Sequence, residues 1–327
     1  MPPHEKASAF RLVTKTPSII VVSTRAIQLA VQSILQTCYG AVVPASPLVR
    51  SRNLVLGFTI DGHDRIMKLY PRQSNAAVKE LMLVDLVGKR GVPVATIDHA
   101  DPEGKIAGRP FIIMETAGPG TLAEMRLANA AGSGLLDHYR EMGEILLRIH
   151  AVKMPRAGEI SGRKIEPGDP RGFVEGLIEV GRLLVSRGLI PVHDLDAFST
   201  AQLPSTEGRS LCHSDYREAQ CVIDSHRISA VLDWESAWSG NALIDFAIAR
   251  THLELLGEQR LVEAFANGYL AGRTLVAGFD DEYRVVFMAT VLGLFRAWIS
   301  QRIDLDDARM RPRLESAARC FHRYANL

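Results

Sequence analysis

At 327 residues the chain is long enough for one large or two medium domains with substantial cores, and its 38 basic and 37 acidic residues leave a formal net charge of +1. That balance gives no electrostatic case for nucleic acid or an anionic membrane surface. Cys38, Cys212, Cys221 and Cys320 show no C-x-x-C spacing, so neither a zinc site nor a disulfide framework is indicated and reduced core thiols are expected. From Met1 to Gln28 no uninterrupted apolar run precedes a small-residue cleavage site, and no segment reaches the roughly 18 apolar residues of a membrane span; a cytoplasmic protein is expected.

In chain order, the first signal is helical. Ile27, Val31, Ile34 and Leu35 recur at helical spacing between Arg25 and Thr37, with Ser23 or Thr24 as the N-cap. Leu54 to Ile60 and Arg65 to Tyr70 read as strands of a hairpin turning at Asp61-Gly62-His63-Asp64. Lys68 lies inside the second strand among apolar neighbours, where a lysine is more often an edge residue in water. Ser74 is a suitable N-cap for a helix through Lys89 that carries Glu80 in its second turn and ends at Gly91-Val92-Pro93-Val94. Arg109 to Leu122 is an apolar strand broken by Gly118-Pro119-Gly120. Between Tyr139 and Val152, Met142, Ile145, Leu146 and Ile149 form one stripe, ended by His150, which is expected to pack rather than react. After a loop from Pro155 to Pro170, helices are expected near Gly172 to Ser186 and Asp194 to Gln202, then over Ile244 to Leu256, Glu258 to Ala271, Asp281 to Gln301, and on to Tyr324. No internal repeat or low-complexity tract occurs.

Between these helical groups, Leu211 to Asp245 carries the chemistry. Cys221 to Ile223 and Ile228 to Leu232 are short strands rich in branched apolar residues, and Asp224-Ser225-His226-Arg227 supplies a turn. If Ile223 faces Ile228, then Cys221, Ile223, Ile228, Ala230 and Leu232 share one face, and Gln220, Val222, Ser229, Val231 and Asp233 the other. Gln220 then lies opposite Val231 with Asp233 as its diagonal neighbour. Diagonal partners are about 7–8 Å apart at the backbone, so an amide oxygen and a carboxylate can converge on one hard cation. Asp215, on the loop entering the hairpin, can point at whatever lies beside that cation.

His213-Ser214-Asp215-Tyr216-Arg217-Glu218-Ala219-Gln220, followed by the hairpin and Val231-Leu232-Asp233-Trp234-Glu235, resembles the catalytic loop of the protein-kinase-like phosphotransferases, specifically the aminoglycoside phosphotransferase and choline kinase superfamily. The usual pattern there is H-G-D-x-x-x-x-N, a hairpin, and a strand ending in D-W or D-x-E. Ser214 replaces the common Gly, a change expected to matter little, and Gln220 replaces the common Asn. The resemblance implies an α+β, bilobal protein-kinase-like fold, with a small antiparallel-sheet N-lobe that binds ATP (1–116) and a larger, mostly helical C-lobe for catalysis and substrate (117–327). It further implies that Lys68 holds the phosphates and Glu80 orients it by an ion pair. Glu115 and Ala117 would offer backbone groups to adenine beside Met114, Asp233 and Gln220 would hold Mg2+, and Asp215 would orient or deprotonate the acceptor hydroxyl. His213 would brace the loop and Asp245 anchor it, while Asn241 stands where an Asp is common. Ser51-Arg52-Asn53 occupies the place of the phosphate loop, and Trp238, Trp298, Glu254, Asp281 and Glu282 are candidates to line an acceptor pocket. The function implied is an ATP-dependent, magnesium-requiring O-phosphotransferase acting on a hydroxylated antibiotic, natural product or small metabolite. It would work as a monomer or homodimer, in antibiotic resistance or natural-product metabolism. Two other readings stay open: a pseudokinase, in which Gln220 marks loss of the metal site, and a kinase acting on a protein or peptide.

Overall fold

Apolar alternation in the first third of the chain closes into a five-stranded antiparallel sheet, ordered β1-β2-β3-β5-β4: β1 Ser46–Arg50, β2 Leu54–Ile60, β3 His63–Leu69, β4 Ile97–Asp101 and β5 Phe111–Glu115. The computed structural model describes residues 24–50, 53–128, 134–168, 170–201, 208–271, 279–300 and 303–326. The hairpin turn between β2 and β3 is shorter than the sequence suggests. Ile60 pairs with His63, so only Asp61 and Gly62 turn, both at positive φ (51° and 76°), which is the backbone a two-residue I′ turn demands. One face of the sheet packs Leu56, Phe58, Ile60, Met67, Leu69, Phe111 and Ile113 against Val31, Ile34 and Leu35 of α1 (Thr24–Tyr39). Because side chains alternate, Lys68 falls on the opposite face, toward α2 (Ala76–Gly88). Ser74 does not occupy the N-cap position of α2, which is Asn75, but its Oγ still accepts the Ala76 N–H at 3.2 Å. The Ser23 cap expected for α1 lies outside the described residues.

The rest of the chain is mostly helical. In order follow β6 (Gly120–Thr121), α3 (Leu122–Ala128), α4 (Leu135–Ala151), β7 (Gly158–Ser161), β8 (Lys164–Glu166), α5 (Pro170–Ser186), α6 (Val192–Thr200) and β9 (Ser210–Cys212). Then come β10 (Cys221–Asp224), β11 (Arg227–Val231), β12 (Trp238–Gly240), α7 (Ala242–Leu255), α8 (Gln259–Leu270), α9 (Phe279–Ser300) and α10 (Arg311–Ala325). The stripe Met142, Ile145, Leu146, Ile149 of α4 is fully buried in the large core. Helix α4 lies close against α8 because glycines face the contact: a Cβ on Gly143 would run into the Phe265 carbonyl, and one on Gly268 into the Arg140 carbonyl. Within α9, Tyr283–Ser300 has a mean hydropathy of 1.3, long and apolar enough by composition to cross a membrane, contrary to the expectation that no such segment exists. Its buried residues Val285, Phe287, Met288, Val291, Leu292 and Phe295 belong to the large core, and the helix packs on α5, α7 and α10.

The sheet and the helical part meet over a third apolar group. Ile112, Met114 and Tyr70 pack there with Val222 and Ala230 of the β10–β11 hairpin, flanked by Ile66, Ile97, Ala117 and Leu232. The chain crosses between the parts through β6, where Gly120 and Thr121 pair with Ile223 and Val222. Gly118 allows this crossing, since a Cβ there would collide with the Ile223 carbonyl.

Candidate active site

The register of the β10–β11 hairpin sets the directions of the site residues, and it differs from the sequence expectation. Ile223 does pair with Ile228, but Val222 pairs with Ala230, so Ser229 is an extra, bulged residue. The bulge shifts everything beyond it by one. Cys221 faces Val231, and the Leu232 N–H reaches the Gln220 carbonyl at 2.9 Å, so Gln220 lies opposite Leu232 and not Val231. The faces change accordingly: Val231 joins Cys221, Ile223 and Ile228 in the large core, while Ala230 and Leu232 join Val222 at the junction with the sheet.

Just past β11 the backbone turns through Asp233, at φ 66° and ψ 57°. A non-glycine residue in this left-handed region carries about 1 kcal/mol or more of strain, a cost that sharply redirects the side chain. The carboxylate leaves the hairpin toward the sheet and meets Lys68, whose Nζ is 2.6 Å from Asp233 Oδ1, 2.8 Å from Glu80 Oε2 and 3.7 Å from Glu235 Oε2. Glu80 also accepts the Tyr70 hydroxyl at 2.6 Å, and Glu235 accepts from the Asn53 side chain. Lys79 Nζ donates to the Glu235 backbone carbonyl at 2.7 Å. Burial works against the Lys68 ammonium, yet Glu80, Asp233 and Glu235 together hold its pKa above the ordinary lysine value. The Tyr70 hydroxyl is pushed well up, by burial first and Glu80 second, so it stays a donor.

The loop before β10 is pinned from below. Asp245 in the first turn of α7 is fully buried and accepts the backbone N–H groups of His213 at 2.5 Å and Ser214 at 2.7 Å, with His150 Nε2 at 3.2 Å. Burial alone would raise the Asp245 pKa; the bond from His150 and the nearby His213 hold it below the usual carboxylate range. Both nitrogens of His213 are occupied. Nε2 lies 2.8 Å from the Leu232 carbonyl, and Nδ1 accepts the Asp215 N–H at 3.4 Å, which assigns the proton to Nε2 and makes this histidine a brace. Tyr216 donates to the Met142 carbonyl at 2.9 Å, and Glu218 is gripped by Arg126 and the Tyr139 hydroxyl. Between these anchors Asp215 stays half-buried, with Arg217 Nε at 3.0 Å and Gln220 Nε2 donating at 3.0 Å. Ser214 takes φ 68°, a conformation glycine adopts freely, so its replacement of the common Gly is not neutral for the backbone.

Lys68, Glu80 and Asp233 thus come together, as do Asp215 and Gln220. Glu115 and Ala117 lie at the crossing. The Glu115 N–H is taken by the Thr96 carbonyl at 3.0 Å, which leaves only its carbonyl for a ligand, and its exposed side chain pairs with Arg65 at 3.4 Å. Glu254 does not line a pocket: its side chain is bound by Arg250 at 2.9 Å, the Tyr324 hydroxyl at 2.8 Å and Arg323. Trp298 packs edge-on to Phe295 against the large core. The side chains of Asp281 and Glu282, and residues Ser51 and Arg52, lie outside the described set. Tyr70 is a site neighbour given no role from sequence, Glu235 was quoted only as part of the motif, and Asn53, placed in the phosphate loop, here donates to Glu235. The signals were present: Asp233 and Glu235 have the D-x-E spacing, and Tyr70 is two residues beyond Lys68 on the same strand face.

Residues 51–279 match the family described as APH, the phosphotransferase enzyme family. The chain belongs to the APH phosphotransferase family. Among solved structures, this APH chain is similar to a thermostable mutant of the aminoglycoside phosphotransferase APH(4)-Ia in a ternary complex with AMP-PNP and hygromycin B, at 17% identity and TM-score 0.64, covering 89% of this chain and 98% of that one. It is also similar to the spectinomycin phosphotransferase APH(9)-Ia in complex with ADP and spectinomycin, at 13% identity and TM-score 0.57, covering 90% and 98%. At these identities the likeness establishes the α+β, bilobal kinase-like fold. A curated relative, acyl-CoA dehydrogenase family member 10 of Mus musculus, is 26% identical over 177 residues, which span 53% of this chain and 16% of that protein.

The residues present suit a magnesium nucleotide. Three carboxylates, from Glu80, Asp233 and Glu235, lie within 3.7 Å of the Lys68 ammonium, with the Lys79 ammonium on the Glu235 carbonyl, so three acidic groups face two ammonium groups and a divalent cation would offset the balance. The donors are hard oxygens of the kind magnesium prefers, and the Asp233 side chain is 35% exposed, open to an incoming ion.

Proposed function

We propose that this APH-family protein transfers the γ-phosphoryl group of ATP to a hydroxyl of a small molecule, an antibiotic, natural product or metabolite. The observation that carries the reading is the three-way contact of Lys68 with Glu80 and Asp233, beside a loop that presents Asp215 half-exposed between Arg217 and Gln220. Residues 1–116 form the nucleotide lobe in this reading, and residues 117–327 the catalytic and acceptor lobe. Asp233 and Gln220 would hold Mg2+, which supplies charge neutralisation on the phosphates when bound. Lys68 would hold the phosphate oxygens, and Glu80, fixed by Tyr70, keeps its ammonium aimed. Asp215 accepts the acceptor hydroxyl proton as the new O–P bond forms and the bond to the leaving diphosphate oxygen breaks. The Glu115 carbonyl and the Ala117 backbone would offer hydrogen bonds to the adenine edge, beside the apolar group containing Met114 and Val222.

Incubating pure protein with MgATP and a panel of aminoglycosides, other hydroxylated antibiotics, choline-like alcohols and a small-metabolite extract, then reading products by mass, tests this. The expected outcome is one product heavier by one phosphoryl group that is absent with Asp215→Asn. ATP binding with no transfer to any acceptor in either the panel or the extract would favour a nucleotide-binding module instead.

A further inference from the structure

A second cluster of ligand-grade side chains lies apart from the phosphotransfer loop, where the start of α6 meets the last turn of α10. Asp194 is fully buried, yet its partners among the described residues include no Lys or Arg. They are two exposed imidazoles and an amide: His193 Nε2 is 3.2 Å from Oδ1, His322 Nδ1 is 2.9 Å from Oδ2, and Asn326 Nδ2 donates to Oδ1 at 3.1 Å. Among the described residues no lysine or arginine stands beside this fully buried carboxylate, so a cation held jointly with the two imidazoles would compensate it.

The geometry fits one. The ligand atoms of His193, Asp194 and His322 all lie within 4.8 Å of one another. In a tetrahedron with bonds of about 2.0–2.1 Å, ligand atoms are about 3.3 Å apart, a spacing that small side-chain shifts reach from a set already within 4.8 Å. Asn326 Nδ2 donates to the carboxylate at 3.1 Å and to the His322 carbonyl at 2.8 Å, outer support of the kind metal-binding carboxylates have, and it also lies 3.2 Å from His322 Nδ1, a contact that an ion on that nitrogen would replace. The imidazole rings stand 6.3 Å apart at 77°, and their side chains are 66% and 55% exposed, so an ion can enter and a water can take the open position.

We propose that His193, Asp194 and His322 form a divalent transition-metal site, with zinc the preferred ion for its two-imidazole, one-carboxylate set, and that the bound metal ties α10 to α6. The site is separate from the magnesium nucleotide reading and does not depend on it.

Tag-free protein, stripped with chelator and exchanged into clean buffer, is titrated with zinc chloride by calorimetry. One zinc per chain is expected, with binding at least about tenfold weaker in His193→Gln/His322→Gln, since each substitution removes a ligand nitrogen. Both histidines are exposed, so the double variant should keep its circular dichroism. Zinc should raise the Tm of the wild type and not that of the double variant. Cobalt in place of zinc should give a tetrahedral d–d spectrum with no thiolate charge-transfer band. No zinc binding by the wild type, equal binding by the double variant, or binding lost in Cys212→Ser would each overturn the assignment; the last would move the ion to the buried His150, Cys212 and Asp245.

Discussion

Asp215 is held on two sides, by the Arg217 guanidinium and the Gln220 amide, which aim its carboxylate without burying it. Asp215→Asn preserves size while removing proton acceptance, so phosphoryl transfer should fall by about 10²- to 10⁴-fold with ATP affinity retained, as steady-state rates and calorimetry on the same preparation would show. Transfer within a few-fold of wild type would remove Asp215 from the chemistry. Gln220 has one methylene more than the Asn usual at its position, and magnesium demands near-ideal octahedral geometry where manganese is more tolerant. Activity should therefore need more Mg2+ than Mn2+. Gln220→Leu should cost far more than Gln220→Asn, and a metal titration unchanged by the Leu substitution would show that Gln220 is no ligand. The motif residues were legible because their types and spacing are chemically restrictive. The contacts of Asn53 and Lys79 with Glu235 were not, because each forms only after the sheet and the hairpin have docked.

At the scale of elements, periodicity revealed the long helices and the β2–β3 hairpin, whose apolar patterns are strong. It missed β4, whose sequence Ile-Asp-His-Ala-Asp has little apolar content, and the short strands β7, β8, β9 and β12, which are strands only because a partner pairs with them. The bulge at Ser229 was equally invisible, since the residues around it are compatible with an unbroken ladder; it is the difference between Gln220 facing Val231 and facing Leu232. The α4–α8 contact offers a direct test of packing. Gly143→Ala places a methyl against the Phe265 carbonyl and the Tyr269 backbone nitrogen, neither of which is the yielding tip of a side chain. A loss of about 1–3 kcal/mol or more in urea unfolding is expected, because overpacked backbone must move apart. A midpoint unchanged from wild type would mean that the two helices have slack that this structure does not contain.

For the whole molecule, acid stability reflects how the loop is seated on α7. His252 faces Arg217, Asp215 and Glu218 from α7, and burial, followed by the Arg217 charge, lowers its pKa to about 4 from 6.5. The charged form is disfavoured in the folded state, so the unfolded chain binds more protons between these values and stability falls as pH drops from about 6.5 to about 4. The full shift corresponds to about 3 kcal/mol. His252→Gln should flatten this part of the stability curve, as urea midpoints across that pH window would reveal; an identical slope in both proteins would place the acid sensitivity elsewhere. The sheet and the helical part bring Lys68, Glu80 and Asp233 together, and the function proposed for that contact is binding of a magnesium nucleotide. Calorimetric titration of ATP into wild type and Lys68→Met, with and without Mg2+, tests it most directly, because Met keeps the apolar stem and removes only the ammonium. The wild type should bind one ATP in a magnesium-dependent manner, and Lys68→Met should bind at least about tenfold more weakly, as expected when a charge-assisted bond worth about 1.5–3 kcal/mol is lost. An absence of ATP binding by the wild type, or equal affinity in the two proteins, would contradict the account.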